Sequence, residues 1–122
     1  MCTMKKTFTL IYLLFAGFLG FAQILTPEQA SKRIGDSITV CGKIFGGRFF
    51  ETSVGSPTLL NMGAAFPASP LTILIPVDVR VKMGYTPEQQ LKDKNICVRG
   101  RVILFKDKPE IIVYSVSQLE IQ

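Results

Sequence analysis

Arg48, Phe49 and Phe50 stand together in the chain, a guanidinium beside two aromatic rings. A cation next to aromatics is the combination that neutralises phosphates while stacking bases; the competing reading is that one Phe packs inside and the other merely covers an apolar end of the core. Adjacent strand residues point to opposite faces, so one of Phe49 and Phe50 must turn away from the core while the other packs inward. Cys41 and Cys97, with 55 residues between them, have neither C-x-x-C spacing nor a third soft ligand for a closed zinc site. In an oxidising compartment they suggest a disulfide, and without a C-x-x-C pair a redox-active role is not expected.

Other chemistries are excluded by what the 122 residues lack. There is no His, which removes Ser-His-Asp and Cys-His catalysis, HExxH zinc sites and imidazole acid-base work. Neither a P-loop string nor a dinucleotide fingerprint occurs, so no nucleotide cofactor is implied. Asp36, Glu51, Asp78, Asp93, Asp107, Glu110 and Glu120 are scattered, mostly at turns and helix ends, with no D-x-D spacing for a catalytic metal. The expectation is a non-enzymatic chain with no metal site and no cofactor.

The net charge of +5 overstates the basicity of the body. Lys5 and Lys6 precede an uncharged, largely apolar run from Thr7 to Ala22 that ends in small residues, which reads as a secretory signal peptide over 1–22. At 16 residues the run is shorter than the roughly 20 needed for a bilayer span, and no stop-transfer segment follows. Cys2 lies ahead of it instead of at the cleavage point, unlike a lipid-anchored lipoprotein. Cleavage after Ala22 would remove Lys5 and Lys6 and leave Gln23 to Gln122 with a charge of +3. The expected product is exported, periplasmic or secreted, with no membrane span in its mature part.

The mature part must position those residues. Thr-Pro-Glu-Gln occurs twice, at Thr26 and at Thr86, and each is a helix start: Thr caps, Pro suits the first position, Glu complements the positive end. Helices are predicted from Pro27 to about Ile34, stopped by Gly35, and from Pro87 to about Lys92. From Ile38 the pattern alternates, with Ile38, Val40, Gly42 and Ile44 on one face, and Gly46-Gly47 marks a bend as the strand runs into Arg48. Short strands follow at Thr58 to Met62 and at Leu71 to Ile75, the latter apolar enough to be covered on both faces. The runs Asn95 to Phe105 and Pro109 to Val116, joined by Lys106-Asp107-Lys108, read as a hairpin.

In this order the string ITVCGKIFGGRF, with ICVRGRVILFKDKPEIIV, resembles the small exported OB-fold proteins of bacteria, a nucleic-acid-binding-like family. The resemblance implies a mainly β, five-stranded Greek-key barrel over 23–122, with a short N-terminal helix and a helix between the third and fourth strands. A small open sheet or an SH3-like barrel is the competing all-β reading. The resemblance also makes the first and fourth strands antiparallel neighbours, so that Cys41 and Cys97 could face each other; the alternative is two small buried residues that never meet.

In such folds the binding face lies between the loops joining strands one to two and four to five. Arg48, Phe49 and Phe50 enter the first of these loops, and Lys106 and Lys108 belong to the second. Lys43, Arg99 and Arg101 could form a basic stripe across the first and fourth strands, or simply a solvated face that guards against edge pairing. Arg80 and Lys82 could extend a basic rim or lie in a solvated linker. The expected ligand is an extended polymer, with single-stranded nucleic acid first. A glycan or an envelope protein is the alternative, the protein docking on the apolar Ala64, Ala65 and Phe66 of the Gly63 to Pro70 loop.

Overall fold

The computed structural model describes residues 23–122, and the export segment expected over 1–22 lies outside the described residues. The chain is mainly β. Its strands are β1 (Ile24–Leu25), β2 (Ser37–Phe49), β3 (Thr58–Met62), β4 (Leu71–Ile75), β5 (Asn95–Phe105), β6 (Lys108–Ile112) and β7 (Leu119–Ile121). A 3-10 helix, Pro27–Lys32, precedes β2, while α1 (Val77–Met83) and α2 (Pro87–Gln90) lie between β4 and β5. A second 3-10 turn, Val116–Gln118, leads into β7.

The sheet runs β1-β2-β3-β4-β6-β5-β7, and β2 also pairs with β5, so it is partly closed into a ring. All pairings in that ring are antiparallel except β4 with β6. The interior is apolar: Val40, Ile44, Leu60, Ile73, Val98 and Ile111 are among the residues with no exposed surface. Inward residues alternate with half-buried or exposed ones along β3 and β4. Here β4 departs from the sequence expectation, because Thr72 and Leu74 on its outer face stay partly accessible.

The bend in β2 controls everything downstream. Its register against β3 slips between Ile44 and Gly47, a bulge at which Gly46 takes φ 135°, a conformation side-chain-bearing residues rarely adopt. An unbroken alternation from Ile44 would send Arg48 inward and Phe49 outward. The extra residue reverses this: Phe49 lies opposite the buried Thr58, and Arg48 lies opposite the outward Leu59. Gly47 is also a close approach, since a Cβ there would come within 2.4 Å of the Leu59 carbonyl oxygen.

Several local expectations are revised. The first helix is a 3-10 segment ending at Lys32; the Gln29 side-chain oxygen accepts the Thr26 amide at 2.9 Å, as capping-box spacing demands. The second stops at Gln90, and its Thr86 hydroxyl makes no cap bond. An unforeseen helix, α1, occupies Val77–Met83, closed by Gly84 in the left-handed conformation. The hairpin turn consists of Lys106 and Asp107, both with positive φ, and Lys108 already belongs to β6. The last expected strand breaks at Ile112 because the Gln118 side-chain oxygen captures the amides of Tyr114 and Ser115 at 2.8 and 3.0 Å.

Candidate nucleic-acid interface

Outward side chains of β2, β3, β4 and β6 form rows fixed by the register. Arg48 faces Leu59, which faces Leu74; Asn61 faces Thr72, which faces Glu110; Lys108 faces Phe105. Over the Arg48 side lies a groove of about 410 Å³ lined by Gly47, Arg48, Phe50, Leu59, Asn61 and Phe66. The Arg48 guanidinium sits 5.1 Å from the centre of the Phe50 ring. The loop between β3 and β4 bends back to supply Phe66, 75% exposed, with the Lys108 ammonium 5.6 Å from its ring centre. Lys108 also donates to the Pro67 carbonyl at 2.9 Å, and the Ser69 hydroxyl bonds the Asn61 side-chain oxygen at 3.3 Å, so the loop is tied down from both sides.

Arg48 and Phe50 line the groove, whereas Lys108 is not among its lining residues and reaches it only through the Phe66 ring. Phe66 joins them, although the sequence placed it on a separate docking patch; nothing local signals that its loop folds back. Phe49 stands apart, because the bulge turns it to the end of the ring. There the Arg80 guanidinium lies 3.8 Å from its ring centre, donates to Thr58 Oγ1 at 2.7 Å and pairs with both oxygens of Glu88, one at 2.9 Å. Arg80 is therefore neither a basic rim nor a linker residue. Lys106 stacks on Phe105 at the hairpin tip, 5.5 Å from the ring centre, and does not line the groove.

The remaining cations share another face. Arg99 and Arg101 stand opposite Thr39 and Ser37, whereas Lys43 stands opposite Asn95, with the Cys41–Cys97 pair between them. The two cysteines are bonded, directly across from each other in β2 and β5. The disulfide splits the expected stripe, leaving Lys43 over the Phe45 ring and Arg99 bonded to the Ser117 carbonyl at 2.9 Å. Among the described residues no group of three or more His, Cys, Asp or Glu is placed to hold a metal ion. No helix among them is long and apolar enough to cross a membrane.

Glu110 is the discordant member of the outward rows. It is only 5% exposed, and burial pushes its carboxyl above the ordinary range. The folded chain therefore holds the proton more readily than the unfolded one, so Glu110 subtracts stability as pH rises through the two values and keeps that deficit at neutral pH. Glu110→Gln is expected to raise the melting temperature at neutral pH by less than about 5 °C, with the gain vanishing in acid, as thermal melts across a pH series would show. A gain that persisted unchanged in acid would place its cause elsewhere.

No family model and no curated protein matches the chain. Among solved structures, the fold resembles part of a protein assigned as an aspartyl-tRNA synthetase from Leishmania major Friedlin, with TM-score 0.58, 10% identity and 84% of this chain covered. It also has a match in the Stn1-Ten1 complex of S. pombe, with TM-score 0.48, 16% identity and 70% of this chain covered. The chain spans 21% of the first protein's length and 57% of the second's. At such identities the likeness concerns the fold alone.

Proposed function

We propose that the chain is a non-enzymatic OB-fold barrel whose outward groove binds single-stranded nucleic acid. The ring path β2-β3-β4-β6-β5 supports the five-stranded barrel, since it reproduces the family's strand order with its helices after the third ring strand. The observation that carries the ligand is that Arg48, Phe50 and Phe66 line one groove, with Arg48 against the Phe50 ring and Lys108, outside the lining, against the Phe66 ring. Two rings offer stacking surfaces to unpaired bases, two cations offer charge to the phosphates between them, and a base edge can meet the Asn61 amide. The disulfide supports an oxidising compartment and hence the export reading. The scattered carboxylates support the non-enzymatic one.

The test is titration of the oxidised protein with labelled single-stranded DNA and RNA at about 50 and about 200 mM salt, with duplex DNA as control. Single strands should bind preferentially and weaken with salt. Phe50→Ala and Phe66→Ala should each cost about 1–3 kcal/mol, and Arg48→Ala should flatten the salt slope by about one unit. Equal affinity for duplex, or binding indifferent to all three substitutions, overturns the proposal. The exposure of Phe66 favours one rival, an envelope-protein partner docked on that ring; salt-independent binding of such a partner, abolished by Phe66→Asp, would establish it.

A further inference from the structure

The far end of β2 carries a second concavity that the groove does not use. A cleft of about 460 Å³ is lined by Gln23, Arg33, Ser37, Thr39 and Arg99, with Leu25 also contributing. Two arginines therefore line one hollow, and among the described residues no carboxylate lines it, although Asp36 pairs with Arg33 beside it. Each is anchored from outside the lining: Arg33 Nε donates to Asp36 at 2.9 Å, and Arg99 Nη2 donates to the Ser117 carbonyl at 2.9 Å. Arg33 also reaches the Gln23 side-chain oxygen at 3.5 Å. Anchoring fixes the planes of the forks while leaving most of their N–H donors uncommitted, the arrangement that suits a tetrahedral oxyanion. Arg101, opposite Ser37 on the same face, adds a third positive charge nearby.

Arg33 carries the Asp36 carboxylate on its Nε, so the charge on this face without a carboxylate partner among the described residues is that of Arg99 and Arg101, and an anion seated in the hollow compensates it. Besides Leu25, Ile38 and Gly100, the lining carries uncharged hydrogen-bonding groups: the hydroxyls of Ser37 and Thr39 and the amide of Gln23. That set matches the hydroxyls of a polyol, and the volume falls in the range of small-molecule sites. We propose that this cleft binds a sugar phosphate, with the phosphate held between the Arg33 and Arg99 forks and the sugar hydroxyls facing Ser37, Thr39 and Gln23. The site is independent of the nucleic-acid groove, since Ser37 and Arg48 lie toward opposite ends of β2.

The experiment is a titration of the isotopically labelled, oxidised protein with glucose 6-phosphate, followed by backbone amide shifts, with glucose, inorganic phosphate and a short single-stranded DNA as separate arms. Glucose 6-phosphate should shift Thr39, Arg99 and Gly100 while leaving Gly47 and Asn61 in place, with a Kd of about 1 mM or tighter. Inorganic phosphate should bind there more weakly and glucose not at all. Arg33→Gln and Arg99→Gln should each weaken binding about tenfold, whereas the distant Lys92→Gln should not. Arg33→Lys keeps the charge but loses the fork, and should also weaken binding should Arg99→Gln fail to fold. The proposal is overturned if those amides stay fixed up to about 10 mM, if the Arg variants bind as the parent does, or if DNA alone moves them.

Discussion

Replacing Cys41 and Cys97 together by serine is expected to lower the melting temperature by about 15–30 °C. The bridge joins residues 56 apart in sequence, and closing a loop of that size removes about 4 kcal/mol of chain entropy from the unfolded state. For a domain this small each kcal/mol is worth about 4–8 °C, and total stability is only about 5–15 kcal/mol. The native side loses little, because β2 and β5 are paired on both sides of the bridge, from Ser37 with Arg101 to Lys43 with Asn95. Thermal melts of the parent, the reduced parent and the double variant make the comparison, and the last two should coincide. A loss below about 4 °C would mean that the ladder alone holds the two strands as firmly as the bridge does.

Arg80→Ala should cost about 3 kcal/mol or more. Its side chain and that of Glu88 are only 15% and 13% exposed, so truncation strands a carboxylate where water barely reaches. It also removes the donor from the fully buried Thr58 and uncovers Phe49 at the end of the ring. The Arg80 hydrogen bonds hold the Glu88 carboxyl below its ordinary range, against the opposing effect of burial. The sign follows: this stability is complete above the unfolded-state value and is lost as pH falls through the lower folded-state value. Urea unfolding across a pH series should therefore show an acid-side loss in the parent that is absent in Arg80→Ala. Arg80→Met combined with Glu88→Leu should recover most of the deficit, since no charge is then left unpaired. A cost under about 1 kcal/mol for Arg80→Ala would show that water screens the pair after all.

Much of the frame was legible because its signals are local. The bounds of β3, β4 and β5 coincide with apolar or alternating runs cut off by Gly, Pro or Asn. The α1 segment was hidden by its composition: Val77, Val79 and Val81 alternate with Asp78, Arg80 and Lys82, a β-branched period-two pattern that argues for a strand. Pro76 before it and Gly84 after it were the readable helix brackets. Parity could say that Phe49 and Phe50 part company, but choosing between them required the bulge, one inserted residue whose position two glycines mark only loosely. The groove itself depends on a loop that doubles back, and the cleft on an arginine from before β2 lining the same hollow as one from β5; neither arrangement leaves a trace in spacing.

The route of the ring sets when the protein can exist. β2 is the first strand of the ring in the chain, yet one of its two neighbours within the ring is β5, and β4 acquires its second neighbour only with β6. The circle therefore stays open until residues 95–112 have been made, however long the earlier strands have been waiting. Pairing over such distances places folding in the slow, millisecond-to-second regime of non-local β topologies, as one late event instead of a progressive one. Until that event both flanks of the gap offer bare strand edges, and the nascent chain is then most exposed to pairing with a neighbour of its own kind.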